Sequence, residues 1–157
     1  MEFMEPRVYQ ATRLVYSLAM NRADFKQLAQ CRLEEAEVLL RNRKFSGAYY
    51  LAGYSIECAL KARLAKQTKL YDFPPEPNFV REIYSHDLEQ LLKKANLQKV
   101  FAGEEARDPQ FGVNWNIIKD WTAKSRYELQ SQRMARAIVK AVSDPQHGVL
   151  RCIRRLW

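Results

Sequence analysis

The sequence has few of the residues that usually mark a metal site, a cofactor or a disulfide framework. The chain of 157 residues contains two histidines, three cysteines and five glycines. It has no glycine-rich phosphate loop, no Gly-x-Ser-x-Gly nucleophile elbow and no His-Glu-x-x-His zinc motif. The pattern of Asp and Glu with which a nucleotidyltransferase binds magnesium is also missing. These absences predict that the protein uses no cofactor and no metal ion.

The cysteines and the apolar stretches also indicate where the protein works. Cys31, Cys58 and Cys152 lie far apart, and their odd number is typical of a protein from a reducing, intracellular compartment. Charged residues interrupt every apolar stretch before it reaches the roughly 20 residues that a membrane-spanning helix needs. The first residues lack the basic and then apolar order of a secretion signal. We therefore expect a cytoplasmic protein without a membrane segment.

Positive charge is concentrated near the C-terminus. The net charge is +8, and residues 119–157 contain nine Lys or Arg but only three Asp or Glu. A basic segment attracts phosphate backbones or an acidic partner protein. Charges that are interspersed in this way are also typical of a solvent-exposed helix face. The sequence leaves both interpretations open.

The spacing of apolar residues predicts an all-α protein, and no strand pattern competes with it. We expect long helices over about residues 21–43, 46–66 and 125–142. The residues expected to face inward on the last of these are Leu129, Met134, Ala137, Ile138 and Ala141. A third helix is expected to begin at Ser85, and a short last helix follows Asp144 and a proline. Between the third helix and about residue 113, glycines and a proline predict a looser segment. Residues 113–121 are expected to form a short helix or an extended stretch.

The second predicted helix is rich in small residues and contains a charged pair. Gly53 costs a helix about 1 kcal/mol relative to alanine, which predicts that another helix backbone comes unusually close there. Glu57 and Lys61 are one turn apart, as in an exposed ion pair. If the apolar neighbours bury Glu57 instead, its carboxylate needs a partner, either Lys61 or an arginine of another helix such as Arg126. Glu57 and Lys61 are therefore candidate ligand-binding residues.

Three segments carry a likeness to a known family. They are Tyr49–Ala62 (YYLAGYSIECALKA), Ser85–Leu92 (SHDLEQLL) and Gly148–Trp157 (GVLRCIRRLW). Together they resemble HEPN-domain proteins, over about residues 22–157. The resemblance implies an up-and-down helical bundle of four core helices with short additional helices, usually as a homodimer. Residues 1–21 would then be an N-terminal extension.

The resemblance implies two possible functions. Many proteins of that family accompany a minimal nucleotidyltransferase, and our leading prediction is a nucleotide- or RNA-associated partner module in a toxin–antitoxin or defence system. Other members are metal-independent endoribonucleases, often toxins, whose signature is an arginine, four to six intervening residues and then a histidine. Arg81 and His86 match that spacing. A plain oligomerisation module without a ligand is a third possibility.

Arg81 and His86 would be the catalytic residues of such a ribonuclease. A neutral imidazole in the first turn of a helix can take the proton of a ribose 2′-hydroxyl, and the arginine can stabilise charge on the phosphorus. One active site would need both protomers of the dimer. Alternatively, His86 is structural, with its ring bonded to a neighbouring backbone group or packed beside Tyr84. His147 is predicted to be a turn residue.

A second candidate binding region follows two tryptophans. Trp115 and Trp121 precede Arg126 and Tyr127, which predicts an aromatic and basic cluster at one end of the bundle. Such a cluster suits a nucleic-acid base and its phosphate. The alternative is that the tryptophans fill the end of the bundle and Arg126 stacks on one of them.

Overall fold

The computed structural model describes residues 20–68, 81 and 83–157, and all regular structure in them is helical. The helices are α1 (Arg22–Arg41), α2 (Phe45–Gln67), α3 (Leu88–Lys94), α4 (Gln98–Arg107), α5 (Pro109–Ile118), a 3-10 helix (Ala123–Tyr127), α6 (Gln132–Ser143) and α7 (Val149–Arg154). They pack into an all-α bundle, which confirms the predicted fold class. None of these helices is long and apolar enough to cross a membrane. The predicted N-terminal extension, residues 1–21, and the proline-rich break after α2 lie almost entirely outside the described residues.

Helix α2 lies at the centre of the bundle. It packs against α1, α3, α6, α7 and the 3-10 helix. Its contact with α1 is close, because the hydroxyl of Ser55 donates to the carbonyl oxygen of Ala29 at 2.6 Å and both residues are fully buried. A helix that is apolar or small on all sides is expected to be enclosed in this way. Any charged residue in its middle is consequently withdrawn from water.

The close approach predicted at Gly53 is present, but the neighbour is a side chain and not a helix backbone. A Cβ atom on Gly53 would lie 2.3–2.4 Å from atoms of the Trp121 indole ring. Trp121 is only 1% exposed and also packs on Tyr50, with 5.8 Å between the ring centroids. Gly53 therefore provides the space that the indole fills.

The start of α3 differs from the prediction because a later residue caps it. The helix begins at Leu88, and the Asp87 carboxylate accepts the backbone N–H of Gln90 at 3.0 Å. Ser85 instead accepts the N–H of Asp87 through its hydroxyl at 3.0 Å. His86 consequently lies just before the helix, whereas the sequence predicted it in the first turn.

The segment predicted to be loose contains two helices, α4 and α5. Asp108 separates them and caps α5, since its carboxylate accepts the N–H groups of Gln110 and Phe111. Pro109 occupies the first position of α5, where its missing N–H is not needed. The glycine and proline signals therefore mark a helix interior and a helix start, and the prediction of a loose segment was wrong.

The predicted helix over 125–142 is correct only in its second half. The 3-10 helix ends at Tyr127, and α6 begins at Gln132, after Ser131 has accepted the N–H of Met134. Leu129, which was predicted to face inward, is 97% exposed. Ile138 and Ala141 are buried as predicted.

Candidate active site

Glu57 is a carboxylate in the core of the bundle. It lies in the middle of α2 and is 1% exposed. Of the two partners that the sequence left open, the structure shows Lys61, whose Nζ is 2.8 Å from Glu57 Oε1. Burying a carboxylate costs several kcal/mol unless charged donors offset the loss of water. The ammonium group of Lys61, one turn along the helix, is such a donor.

His86 is the second group on the same oxygen. Its Nδ1 lies 2.9 Å from Glu57 Oε1, although 29 residues separate the two in the chain. The ring can donate from Nδ1 to this oxygen, since an ionised carboxylate only accepts hydrogen bonds. The imidazole side chain is 58% exposed. His86 therefore connects a buried acid with the surface of the protein.

The other oxygen of this carboxylate is not used by the fold. Glu57 Oε2 is buried and has no hydrogen-bond partner among the described residues. A buried polar atom without a partner costs about 1–3 kcal/mol. Glu57 thus holds Lys61 and His86 through Oε1 and keeps one acceptor free in the interior.

A groove begins at this site. It has a volume of about 710 Å³, and both Lys61 and Tyr84 line it, together with the apolar side chains of Phe25, Leu64 and Ile83. Sites for small ligands are usually concave and mostly apolar, with a few polar groups. The groove therefore gives a ligand a surface next to the Glu57, Lys61 and His86 cluster, which we call the Glu57 cluster.

Arg81 is not part of the Glu57 cluster in this structure. Its side chain is exposed and forms no ion pair or hydrogen bond with another described residue. Tyr84 is 74% exposed and lines the groove. The structure thus supplies a carboxylate partner for His86, which the sequence did not predict.

The predicted aromatic and basic cluster is not assembled as expected. Trp115 is almost fully buried and meets the ring of Phe101 edge-on, with centroids 5.0 Å apart. Arg126 lies over the ring of Tyr127 at 5.0 Å. The hydroxyl of Tyr127, and after it that of Tyr50, raises the pKa of Arg126 above its usual range. Trp115 is therefore a core residue, whereas Arg126 and Tyr127 form a separate exposed pair.

Sequence reasoning gave His147 no partner, and the structure gives it one. His147 Nδ1 lies 2.7 Å from Asp108 Oδ2, and its carbonyl oxygen accepts from Asn114 Nδ2 at 2.8 Å. The hydrogen bond from His147 is the main reason why the pKa of Asp108 lies below its usual range. Because Asp108 also caps α5, this contact ties the turn before α7 to the start of α5. The only earlier signal was the Asp-Pro dipeptide that opens α5.

A thiol lies directly beside Glu57 in the chain. Cys58 is 1% exposed, and burial, followed by the charge of Glu57, raises the pKa of this thiol to about 12. A thiol that stays protonated is a poor nucleophile. Cys58 is therefore a packing residue next to the site. Within the described part of the chain, no group of three or more His, Cys, Asp or Glu residues could hold a metal ion.

Comparison of the sequence with models of protein families and with curated proteins, and of the structure with solved structures, found no match. The assignment of function therefore depends on the geometry of the Glu57 cluster and on the resemblance of the three sequence segments.

Proposed function

We propose that the protein is a metal-independent endoribonuclease in which His86 is the general base and Glu57 orients it. One observation carries the proposal, the 2.9 Å contact that joins the buried carboxylate to an imidazole 58% exposed at the surface. Because Glu57 holds Nδ1, the other ring nitrogen, Nε2, is the one that can accept a proton from a substrate.

The chemistry needs only groups that the chain and the RNA supply. Nε2 of His86 removes the proton of a ribose 2′-hydroxyl, and the 2′-oxygen attacks the adjacent phosphorus. The bond from phosphorus to the 5′-oxygen breaks, and the proton is delivered to this leaving oxygen. The products are a 2′,3′-cyclic phosphate and a 5′-hydroxyl end. Arg81, five residues before His86 and exposed, is the candidate for stabilising the charge on the phosphate.

The buried acid gives the imidazole two properties that a general base needs. A hydrogen bond to a fixed carboxylate selects the tautomer and the orientation of the ring, as in the catalytic triads of hydrolases. The carboxylate also stabilises the imidazolium that forms when the proton is taken up. We expect an RNA strand to bind in the groove lined by Lys61 and Tyr84, next to the Glu57 cluster.

The test is cleavage of single-stranded RNA in excess EDTA by the native protein and by His86→Ala. Loss of a general base typically lowers the rate by about 10²–10⁴-fold, so we expect a fall in kcat of that size. Glu57→Gln should lower kcat more than it changes KM, because it affects the orientation of the base and not the binding of RNA. Arg81→Ala should also reduce cleavage. His147→Ala is the matched control, since His147 contacts Asp108 and not the Glu57 cluster.

Two further results would decide the matter. A substrate with a single 2′-deoxyribose at the cleaved position should resist cleavage, and the products should carry a 2′,3′-cyclic phosphate. The proposal is wrong if the folded native protein leaves RNA intact, or if His86→Ala cleaves as fast as the native protein. Circular dichroism spectra establish that each variant is folded.

The second candidate is the partner module of a minimal nucleotidyltransferase, within a toxin–antitoxin or defence pair, and one surface favours it. Leu129 is 97% exposed and Tyr127 is 80% exposed, and Met134 is 44% exposed a few residues further on. These three side chains fall within eight positions of the chain, and exposed apolar side chains that form one patch mark surfaces for protein partners. This surface also suits the predicted homodimer, for which the sedimentation coefficient of the purified protein is the direct measurement.

The partner role has its own test. A nucleotidyltransferase encoded beside this gene should copurify with the chain after coexpression, and Leu129→Glu should abolish the copurification. Val113→Glu is the control, because Val113 is 51% exposed on α5 and lies outside this surface. Absence of copurification, or equal loss in the two variants, would rule this candidate out.

A further inference from the structure

A cavity lined by arginines lies where α1 ends and where α2 and α6 begin. Its volume is about 520 Å³, and Arg41, Arg43 and Arg136 line it. Its other lining residues are Leu40, Phe45 and Gln132, so no carboxylate of the described residues lines it. Three arginines thus line one space, and none of them forms an ion pair with an acidic side chain among the described residues. We call this space the arginine cavity.

Arg43 is held by its backbone conformation, and Arg136 is held by hydrogen bonds of its side chain. Arg43 has a left-handed backbone conformation, with φ of 59°, and its N–H donates to the carbonyl oxygen of Leu40 at 3.1 Å. This conformation closes the C-terminus of α1 and directs the chain into α2. With the Gln132 amide oxygen facing it, Arg136 donates from Nη2 at 2.7 Å and from Nε at 3.1 Å. The backbone of Arg43 and the guanidinium group of Arg136 are therefore held by the fold.

The helix ends at the cavity contribute potential of both signs, with the positive N-termini of α2 and α6 against the negative C-terminus of α1. Both α2 and α6 begin at its edge, and neither helix has an acidic residue in its first turn. The N-terminus of a helix carries about half a positive charge. Like charges at close range repel one another, so the arrangement is stabilised when an anion enters. Guanidinium groups bind phosphoryl oxygens in pairs, which a rigid cluster favours further.

We propose that the arginine cavity binds a phosphoryl group, with Arg41, Arg43 and Arg136 as its ligands. The site is separate from the Glu57 cluster, because Phe45 and Glu57 are twelve residues apart on α2, about 18 Å along the helix axis. The phosphoryl group belongs either to a small free phosphate or to the backbone of an RNA strand. The proposal does not require His86 to be catalytic.

The first measurement is calorimetric titration with pyrophosphate at constant ionic strength. We expect saturable binding at one site per chain in the native protein. Arg136→Gln should weaken it by about tenfold, the size expected for a lost charged hydrogen bond. Arg41→Gln is a second variant with the same expected effect. Arg133→Gln is the matched control, because Arg133 is exposed on the same helix and does not line the cavity.

The second measurement distinguishes the two sources of the phosphoryl group. Fluorescence anisotropy with labelled single-stranded RNA is carried out in the His86→Ala background, so that no cleavage can occur. If Arg136→Gln weakens RNA binding and pyrophosphate competes with RNA, the backbone of RNA is the ligand. If RNA binding is unchanged while pyrophosphate binding falls, the ligand is a small phosphate. Absence of saturable pyrophosphate binding, or equal weakening by Arg136→Gln and Arg133→Gln, would overturn the proposal.

Discussion

Replacement of Gly53 by alanine tests how α2 accommodates Trp121. In most helix interiors this change is stabilising by about 0.8–1 kcal/mol, because alanine has the higher helix propensity. At Gly53, however, the new methyl group would lie 2.3–2.4 Å from the Cγ, Cδ1 and Cδ2 atoms of the indole. These atoms lie at the base of the ring, so they cannot move away without moving the whole side chain. Trp121 is 1% exposed and has no open space to move into.

The magnitude follows from the competition between these two effects. Overpacking of a core costs about 1–3 kcal/mol, and occasionally more. Subtracting the gain in propensity leaves a net loss of about 0–2 kcal/mol in the free energy of unfolding, and three contacts at 2.3–2.4 Å place the expected loss in the upper half of that range. Gly103→Ala in α4 is the matched control, because the nearest atom to its new methyl group would be Arg107 Nη2 at 3.9 Å. That variant should gain about 0.5–1 kcal/mol.

Urea unfolding followed by circular dichroism measures the free energy of unfolding of both variants relative to the native chain, and thermal unfolding measures their Tm. For a protein of this size, each kcal/mol corresponds to about 2–4 °C in Tm. The two Gly→Ala changes should therefore shift Tm in opposite directions. If Gly53→Ala stabilised the protein as much as Gly103→Ala, the packing of Trp121 against α2 would be refuted, and with it the explanation for a glycine in the central helix.

Two further predictions concern thiols and pH. A thiol-specific reagent at pH 8 should modify Cys31, which is partly exposed, before Cys58 and Cys152, because burial keeps the reagent away from these two thiols. Equal labelling of all three in the native protein would contradict this burial. The hydrogen bond from His147 is the main cause of the lowered pKa of Asp108. The ionised Asp108 therefore stabilises the fold fully above the ordinary carboxyl pKa of about 4, and this contribution is lost as the pH falls through the lower pKa of the folded state. Asp108→Asn keeps a helix-capping side chain without the charge. The loss in free energy of unfolding relative to the native chain should therefore shrink as the pH falls from 6 to 2. An unchanged loss would show that His147 does not act on this carboxylate.

The long helices were predictable because local signals agree along them. Helix α1 has an apolar stripe, and Asn21 caps it in a reciprocal hydrogen-bonded arrangement with Asp24. Helix α2 has a composition that is apolar or small on every side, which predicted a buried helix. In both helices the periodicity extends over many turns, so the tertiary structure only confirms what the local sequence favours.

The errors arose where one residue has two possible meanings. Gly103 and Pro109 were interpreted as breakers, yet a proline at the first position of a helix needs no N–H donor and Asp108 caps that helix. Leu129 was placed on an inward face because an unbroken helix was extrapolated through it. Ser131 starts α6 later, and this resets the face that each residue occupies. A capping residue is therefore more informative about a boundary than the apolar pattern around it.

The Glu57 cluster was only partly predictable for a different reason. The pairing of Glu57 with Lys61 is local, and helical spacing predicts it. The contact between Glu57 and His86 joins α2 to the residues just before α3, and no periodicity in the sequence reports a contact across 29 residues. The same holds for the arginine cavity, whose lining residues come from the ends of α1, α2 and α6. Contacts of this kind are established only when the helices have packed.

Stability alone does not account for a carboxylate at position 57. Apolar residues of similar volume in place of a buried ion pair are often neutral or stabilising by about 1–4 kcal/mol. The contact with His86 compensates little, since an ion pair that is largely exposed on one side is worth about 0–1 kcal/mol. Glu57 also leaves Oε2 buried without a partner among the described residues, which costs further stability. A fold that needed only a central helix would gain from leucine here. Under the function proposed above, this loss of stability has a reason, because Glu57 contacts the imidazole of His86 and orients it toward a substrate.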